Sequence, residues 1–276
     1  TIPVYSVPES PAFVLSNASA YAEWQQDPSG MVPDFDDLDL SLVRTICASA
    51  LSQRGTGWLT TGETRAILSA MKLPVQPGGI AHTSDDAVAL AEKIGYPIAL
   101  KLASHRIVHK TEIGGVHLQL MDERAVRHAF ESIRARLGET GQLDAMEGVL
   151  VQPMVRGGVE VMVGVTHDPL FGPLIAVGLG GIHVEILGDV QFRITPLTDH
   201  DAAGMIRGIK GYRLLSGYRG HAPADIEAIE DVLLRISRLV EEIPNISDLD
   251  LNPIFALPPG QGCRIVDARI RLETRG

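Results

Sequence analysis

The stretch ALKLASHRIVHKTEIGGVHLQL, residues 99–120, gathers groups that are suited to phosphate chemistry. Lys101 lies within an apolar run, and its point charge on a flexible stem suits a nucleotide phosphate. His109 can accept a phosphoryl group, because imidazole is substantially neutral and nucleophilic near pH 7. A pair of glycines closes the segment 104–115 and lets the backbone approach an anion. The pattern indicates a phosphoryl-transfer site.

Simpler interpretations of the same stretch stay open. Strand alternation sets Lys101 opposite the apolar side chains of its run, where a lysine can also simply face solvent. The segment 104–115 is longer than a usual hairpin connection, and long loops in compact domains are either functional or disordered. The donors on which the functional interpretation depends are His105, Arg106, His109 and Lys110.

The segment FGPLIAVGLGGIHVEILGD places a glycine-rich turn after a predicted buried strand. Gly180 and Gly181 form that turn, and Glu185, Asp189 and Arg193 follow it at intervals of four residues. Two acids and an arginine beside such a turn can frame a metal-bound phosphate. A plain tight turn followed by a solvated edge with one ion pair explains the same residues.

The two C-terminal strands present oxygen ligands on one face. In DLDLN, Asp248, Asp250 and Asn252 alternate with leucines, and in RIVDARIRL, Asp267 points away from the apolar face. If the strands pair, Asn252 and Asp267 converge on one hard cation. Mg²⁺ prefers one or two such protein ligands together with phosphates and water. The alternative is an ordinary half-exposed sheet with its polar face outward.

Apolar periodicity, capping residues and Gly/Pro breaks predict the elements that must position these residues. Helices are expected at 9–26, 40–53, 62–73, 83–95, 123–137, 199–210 and 223–242. Strands are expected at 97–102, 115–120, 148–155, 159–167, 173–179, 190–195, 246–257 and 263–272. Strand pairs with helices set between them favour an α+β fold with largely antiparallel sheets.

Net charge, the absence of long apolar runs and the absence of several motifs argue against some classes of protein. The chain has 276 residues and a formal net charge of -10, which argues against a nucleic-acid-binding surface. We find neither a membrane-spanning apolar run nor a secretory signal, and Cys47 and Cys263 fit reduced buried thiols, so a cytoplasmic protein is expected. The sequence lacks GxxxxGK[ST], GxSxG and HExxH motifs, and its HxE in IHVE has no following PCxxC. P-loop, nucleophile-elbow and zinc-hydrolase chemistries are therefore not indicated.

Taken together, three segments resemble the ATP-grasp domain of ADP-forming acyl-CoA synthetases of the acetate–CoA ligase type. They are IGYPIALKLASHRIVHKTEIGGVHLQL, GVLVQPMVRGGVEVMVGVTHDPLFGPLIAVGLGGIHVEILGDVQFRITPL and DLDLNPIFALPPGQGCRIVDARIRL. They cover most of residues 80–272 in the family order. The β subunit of succinyl-CoA synthetase shares the end of the pattern. The resemblance implies an ATP-grasp fold, in which two lobes with largely antiparallel sheets enclose a nucleotide cleft.

Site residues follow from the resemblance position by position. It assigns Lys101 to ATP phosphates and makes His109, in HKTEIGG, the histidine that exchanges phosphate with the nucleotide. It places Glu160 near the ribose or nucleotide. It puts Asn252 and Asp267 at the magnesium positions of the family's NP…DA pattern.

Further ATP-binding residues follow from the same match. Gly180, Gly181 and Arg193 lie in its well-matched central segment, whereas Glu185 receives no separate role. Asp250 stands where the succinyl-CoA enzymes usually carry glutamate, so its role is undefined. The interlobe strand that meets adenine through backbone groups comprises Val149, Leu150, Val151 and Gln152.

The resemblance also implies a domain division. Residues 1–28 are expected to be the tail of a preceding CoA-ligase domain, and residues 29–58 a linker and helix. Residues 59–147 are expected to form the first ATP-grasp lobe, and residues 148–276 the second.

In the family, CoA-binding and CoA-ligase domains of the same longer chain or a partner subunit make an acyl phosphate. A histidine then delivers its phosphoryl group to the ATP-grasp domain, where ADP becomes ATP with Mg²⁺. The chain is therefore expected to bind ATP or ADP and Mg²⁺, with no nucleic-acid or membrane partner. One alternative is an inactive, regulatory nucleotide-binding domain fused to a bacterial protein lysine acetyltransferase. Others are an ATP-grasp carboxylate ligase without phosphohistidine and a purely structural module.

Overall fold

The structure of the protein, a computed structural model, describes residues 4–5, 7, 9–26, 30–181, 188–220 and 222–274. Its helices are α1 (Glu9–Gln26), α2 (Leu40–Arg54), α3 (Thr61–Ala70), α4 (Ser84–Ile94), α5 (Glu123–Glu139), α6 (Asp199–Arg207), α7 (Tyr212–Leu215) and α8 (Ile226–Glu242). Its strands are β1 (Gly57–Trp58), β2 (Gly79–Ala81), β3 (Ile98–Ala103), β4 (Val116–Leu120), β5 (Gly148–Pro153), β6 (Val159–Asp168), β7 (Gly172–Leu179), β8 (Val190–Ile194), β9 (Ile246–Ala256), β10 (Cys263–Ile265) and β11 (Ala268–Leu272).

Capping side chains explain where the helices begin. Asp39 caps α2 and Thr83 caps α4, each accepting a backbone N–H from the first turn. Thr60 and Glu63 form a reciprocal capping box at the start of α3. The helix predicted at 123–137 is two residues longer: α5 continues to Glu139, because Gly138 keeps helical geometry and the N–H of Thr140 closes the last turn.

The small lobe is a four-stranded antiparallel sheet in the order β2-β5-β3-β4, with α4 and α5 packed on one face. Alternating side chains of the central strands fill the core under those helices; they include Ile98, Leu100, Leu102, Val149 and Val151. The intervening side chains, among them Lys101 and Leu150, therefore point to the opposite face, toward the large lobe.

The large lobe is a sheet in the order β1-β11-β9-β6-β7-β8, and β10 also pairs with β9. All of these pairings are antiparallel. Helices α2, α3, α6 and α8 cover one face and enclose its apolar core. The other face carries Asp250, Arg269 and Gly164, which are cross-strand partners. These findings confirm the α+β class with two antiparallel sheets.

Two segments group differently from the predicted lobes. The strand β5 was expected to open the second lobe, but it lies between β2 and β3 in the small sheet. Leu59, Ile67 and Leu68, expected in the first lobe, are buried in the core of the large lobe. Both differences arise from tertiary pairing, which an apolar run does not encode.

The last predicted strand, 263–272, is in fact two strands. β10 and β11 both pair with β9, and Val266 and Asp267 lie in the gap between them. At this break the Val266 carbonyl faces the small lobe, where Lys101 donates to it, while the Val266 N–H donates to the Pro253 carbonyl. Among the described helices, none combines the length and apolar character needed to cross a membrane.

Candidate functional site

Lys101 lies at the centre of the contact between the lobes. Its side chain is only 6% exposed, and its Nζ donates a hydrogen bond to the carbonyl oxygen of Val266 at 3.0 Å. Burial lowers the pKa of Lys101, the Asp267 carboxylate opposes that shift, and the cations Lys110 and Arg65 add to it. The alternative of a solvent-facing lysine is therefore wrong.

Asp267 lies next to this ammonium in the gap between β10 and β11. Its Oδ1 accepts the N–H of Ala268 at 3.0 Å and lies 3.7 Å from the Nζ of Lys110. Lys110 belongs to the long β3–β4 loop and is 6% exposed. One carboxylate of the large lobe thus faces two buried ammonium groups of the small lobe.

Asn252 is a direct neighbour of Asp267, as strand pairing predicted. Its backbone N–H donates to the carbonyl oxygen of Asp267 at 3.2 Å, and Asn252 itself is exposed. Asp250 pairs in register with Arg269. Burial raises the pKa of Asp250, an effect that Arg269 opposes and Asp267 reinforces. Asp250, Asn252 and Asp267 therefore place oxygen atoms close together where β9 and β11 meet the small lobe.

The residues of β5 divide between the two faces of the small sheet. Val149 and Val151 are fully buried in the core, while Leu150 and Gln152 face the large lobe beside Lys101. Because β2 and β3 flank β5 on both sides, its backbone groups are largely occupied by the two ladders. The side chain of Leu150 reaches the cleft, and the predicted backbone contacts of Val149, Leu150, Val151 and Gln152 to adenine stay a prediction.

Arg65 is a site residue that the sequence did not reveal. It lies on α3, donates to the carbonyl oxygen of Gln76 at 3.0 Å, and burial lowers its pKa. Gln152, with its amide oriented to satisfy both neighbours, accepts from Arg65 Nη1 at 3.2 Å and donates to the Val266 carbonyl at 3.3 Å. A lone arginine in a short helix gives no sequence signal, because its partners come from both lobes.

A cleft opens where these groups meet. Its lining comes from both lobes and consists of Thr61, Arg65, Val75, Leu150, Ile265, Val266, Asp267 and Ala268. One interlobe surface therefore combines the Arg65 guanidinium, the Asp267 carboxylate and several apolar side chains. The predicted cleft between lobes is present.

The loop that carries His109 is held at its start. Glu147 accepts the backbone N–H of His105 at 2.7 Å and also contacts its ring Nδ1. Ser104 Oγ accepts two backbone N–H groups of the loop, at 3.2 and 3.0 Å. The side chain of His109 is 74% exposed, with Nδ1 3.5 Å from Glu112. His109 itself faces solvent while the next residue, Lys110, reaches Asp267.

Comparison with known proteins decides the family. A family model described as "ATP-grasp domain" matches residues 50–272. The chain is 46% identical to the β subunit of acetate–CoA ligase [ADP-forming] II of Pyrococcus furiosus over 212 residues, covering 76% of this chain and 90% of that one. The chain belongs to the ATP-grasp family.

Further relatives define its type. The 4-hydroxybutyrate–CoA ligase [ADP-forming] of Nitrosopumilus maritimus is 35% identical over 98% of this chain, which spans 38% of that ligase. A solved dinucleotide-forming acetyl-coenzyme A synthetase 1 of Ca. Korarchaeum cryptofilum, with coenzyme A and Ca-AMPCP, has a TM-score of 0.78 and 40% identity. That match covers 83% of this chain and 99% of the other. The chain is thus an ATP-grasp domain of the ADP-forming acyl-CoA synthetase type.

A second structure of the same synthetase is also similar. It contains Mg-AMPPCP, its phosphohistidine segment is described as pointing towards the nucleotide-binding site, and its TM-score is 0.71 at 38% identity. The match again covers 83% of this chain and 99% of the other.

The ATP-grasp cleft fits a magnesium ion by its donor chemistry. Asn252, Asp267 and nearby Asp250 offer the oxygen ligands that Mg²⁺ prefers. Within the described part of the chain, no group of three or more His, Cys, Asp or Glu residues could hold a metal alone. Phosphate oxygens and water must therefore complete any magnesium shell here.

The predicted glycine turn lies against Glu160. The N–H of Gly180 donates to the Glu160 carbonyl at 2.7 Å, and a Cβ on Gly180 would lie 2.9 Å from the Cβ of Glu160. Gly181 has φ +67°, which favours glycine. Glu160 is exposed on the large-sheet face that the helices leave open, the face of Asp250. Glu160, Gly180 and Gly181 are therefore together at the edge of the open face.

Asp189 and Arg193, which follow the turn, are not brought to the cleft. Asp189 is 2% exposed and accepts the backbone N–H groups of Lys210 and Gly211, so its role is structural. Arg193 pairs in register with core residue Ile175 and lies 4.0 Å from Asp201 of α6, on the helix-covered side. Its predicted place at ATP is not supported by this geometry. Glu185 lies outside the described residues.

Proposed function

We propose that this chain is the nucleotide-binding, phosphoryl-transfer part of an ADP-forming acyl-CoA synthetase and that it exchanges phosphate between ATP and His109. The observation that carries the proposal is the interlobe cluster of Lys101, Lys110 and Asp267, two buried ammonium groups facing one carboxylate. Such a cluster suits a polyphosphate with its metal. Family membership and the Mg-AMPPCP complex of a relative support the same assignment.

Each residue has a role in this proposal. Lys101 exchanges its bond to the Val266 carbonyl for phosphate oxygens, and its buried charge offsets theirs. Asp267 and Asn252 hold Mg²⁺, which supplies charge neutralisation at the phosphates. Glu160 binds near the ribose, with the turn of Gly180 and Gly181 beside it. Leu150 and Gln152 contact the base through their side chains.

The transfer step involves His109. A neutral imidazole nitrogen attacks the γ-phosphorus, a P–N bond forms, the bond to the bridging oxygen breaks, and ADP leaves. In reverse, a terminal oxygen of ADP attacks phosphohistidine and the imidazole departs. Because His109 faces solvent at the tip of an anchored loop, the loop must turn inward for the reaction.

The whole reaction requires further parts. The chain spans 38% of the Nitrosopumilus ligase but 90% of the Pyrococcus β subunit. We therefore propose that CoA-binding and CoA-ligase domains, on the same longer chain or a partner subunit, make the acyl phosphate. The first of these matches covers 98% of this chain, which supports residues 1–28 as the tail of such a domain. A cytoplasmic location stays part of the proposal.

The regulatory alternative receives no comparable support. The relatives reported above are CoA ligases, and a fused acetyltransferase domain stays a prediction from the sequence. His109, Lys101, Asn252 and Asp267 are also all present, as a working site requires.

The direct test is phosphohistidine formation. The purified chain is incubated with γ-labelled ATP and Mg²⁺, and protein-bound label is assayed for acid lability and base stability. We expect such label on the wild type, its loss in His109→Asn, and its retention in His128→Asn, which changes an exposed histidine of α5.

Two other outcomes separate the alternatives. Nucleotide binding by calorimetry with no label would favour the regulatory domain. Label that persists in His109→Asn would contradict the role of His109, and failure to bind either ATP or ADP would overturn the proposed function.

A further inference from the structure

The loop of residues 104–115, which carries His109, is bound to both lobes. Its start is held within the small lobe, where Glu147 accepts a backbone N–H of the loop at 2.7 Å. Further along, the Lys110 ammonium lies 3.7 Å from Oδ1 of Asp267 on the large lobe. Among the hydrogen bonds and ion pairs that the loop makes in the described part of the chain, this contact alone crosses from one lobe to the other.

The ion pair between Lys110 and Asp267 is largely shielded from water. The side chain of Lys110 is 7% exposed and that of Asp267 is 21% exposed. The neighbouring Lys101 donates its hydrogen bond to the Val266 carbonyl instead. Partly buried ion pairs are screened much less than exposed ones, so this contact helps to hold the loop against the large lobe.

The local turn sets His109 and Lys110 on opposite sides of the loop. The N–H of Lys110 donates to the Val108 carbonyl at 3.2 Å and closes a three-residue turn with His109 at its centre. The His109 side chain is 74% exposed, whereas the side chain that follows it is 7% exposed. A rotation of this turn that brings the imidazole inward therefore carries the ammonium away from Asp267.

We propose that Lys110 is a positioning residue for His109: its ion pair with Asp267 keeps the histidine outside the cleft, and magnesium on Asp267 releases the loop. A divalent cation on this carboxylate repels the adjacent ammonium, so metal and lysine compete for the same group. Entry of His109 is thereby coupled to loading of the metal–nucleotide. The release rests on the proposed function, because it needs magnesium at Asp267, whereas the ion pair is testable in the free chain.

The first test is hydrogen–deuterium exchange of the free chain, followed by mass spectrometry of peptides that cover residues 106–115. The amides of Lys110, Gly114 and Gly115 donate within the loop and report on its opening. Lys110→Met removes the ammonium and keeps an apolar stem, and it should speed exchange by about fivefold. Asp267→Asn should have the same effect from the other lobe, and the double variant should exchange no faster than either single variant.

Two variants serve as controls. Lys110→Arg keeps a cation at this position and should restore exchange to the wild-type rate. Lys93→Met, at an exposed lysine near the end of α4, should leave exchange of the loop unchanged. Thermal melting confirms that each variant is folded. Equal exchange in the wild type and Lys110→Met, or additive effects of Lys110→Met and Asp267→Asn, would overturn the proposal.

The second test repeats the exchange measurement with saturating Mg-AMPPCP. The wild type and Lys110→Met should then exchange alike, because magnesium on Asp267 has already separated the ion pair. A lysine that merely stabilised the loop would keep its effect in the complex, so a persistent difference would contradict the release step.

The position of His109 is followed by its modification with diethyl pyrocarbonate. Mg-AMPPCP should slow the modification of His109 and leave that of the exposed His128 unchanged. An unchanged rate at His109 in the complex would contradict its entry into the cleft.

Failure of the proposed function and failure of the ion pair give different results. If calorimetry detects no binding of Mg-AMPPCP, the proposed function and the release step are contradicted, and faster exchange of free Lys110→Met still supports the ion pair. If Mg-AMPPCP binds but the free wild type and Lys110→Met exchange alike, the positioning role of Lys110 alone is contradicted.

Discussion

A buried lysine with one carbonyl and one carboxylate nearby is an unfavourable arrangement in the ligand-free protein. Lys101 is 6% exposed, its hydrogen bond goes to the neutral Val266 carbonyl, and two other cations lie close enough to lower its pKa. Desolvation of an ammonium in such surroundings opposes folding. The arrangement makes sense where a polyphosphate supplies the missing negative charge.

The substitution Lys101→Met tests this view through nucleotide affinity and pH dependence. We expect ATP affinity to fall by at least about tenfold, because a charge-assisted bond to phosphate is lost. The folded-state pKa of Lys101 lies below the unfolded value of 10.5, so the unfolded chain binds more protons between the two values. The stability of the wild type relative to Lys101→Met should therefore rise as pH increases through that window.

Urea unfolding at several alkaline pH values measures the difference, and Lys93→Met is the control at an exposed lysine. A stability difference that stays constant with pH would show that Lys101 titrates alike in the folded and unfolded chains.

The two cysteines give a second prediction at this scale. Burial raises the pKa of Cys47 to about 11 and that of Cys263 to about 12. Because the thiolate is the nucleophile, neither thiol should react with iodoacetamide at pH 8 in the native protein, and both should react in urea. Mass spectrometry after alkylation checks this. Rapid native labelling of Cys47 would show that α2 separates from the core readily.

At the scale of elements, a buried carboxylate stabilises the loop after α6 by accepting backbone N–H groups. Asp189 accepts the N–H groups of Lys210 and Gly211 at 2.8 and 2.7 Å while only 2% exposed. We expect Asp189→Asn to lower the free energy of unfolding by about 2 kcal/mol, since an amide cannot accept both bonds and stays buried.

The matched control is Asp168→Asn. Asp168 accepts two backbone N–H groups on one oxygen, Oδ1, at the solvent-facing β6–β7 turn, and an asparagine Oδ1 can still accept both, so Asp168→Asn should cost less than about 0.5 kcal/mol. Chemical denaturation measures both variants. Equal effects would mean that neither burial nor the loss of one acceptor oxygen sets the cost of Asp189→Asn.

The helices and strands show which features of the fold can be predicted from the sequence and which cannot. Helix caps such as Thr83 and strand alternation around Asn252 depend on neighbouring residues, so the sequence predicts them. The placement of β5 between β2 and β3 and the break before β11 depend on distant partners, which periodicity does not specify. The same reason explains why Arg65 was missed and why Arg193 was expected at the cleft.

At the scale of the whole molecule, hydrogen bonds of Gln76 help to set the position of one lobe relative to the other. Gln76 contributes three: its N–H donates to the Ile265 carbonyl at 2.8 Å, its side-chain Nε2 donates to the Pro153 carbonyl at 2.9 Å, and its carbonyl accepts from Arg65. It connects the two sheets directly beside the cleft. These hydrogen bonds therefore help to set the width of the interlobe cleft that a nucleotide would occupy.

The substitution Gln76→Ala therefore tests whether the relative position of the lobes is part of the site. The side chain is 5% exposed, so its loss leaves the Pro153 carbonyl without this donor and should destabilise the protein by about 1–2 kcal/mol. We expect ATP affinity to fall as well, although Gln76 is absent from the cleft lining, because the lobes are then less well positioned. Gln53→Ala removes an exposed glutamine whose hydrogen bonds, within the described part of the chain, go to Ser49 alone; it is the control and should change neither quantity. Loss of stability with unchanged ATP affinity would mean that the nucleotide itself, rather than Gln76, sets the distance between the lobes.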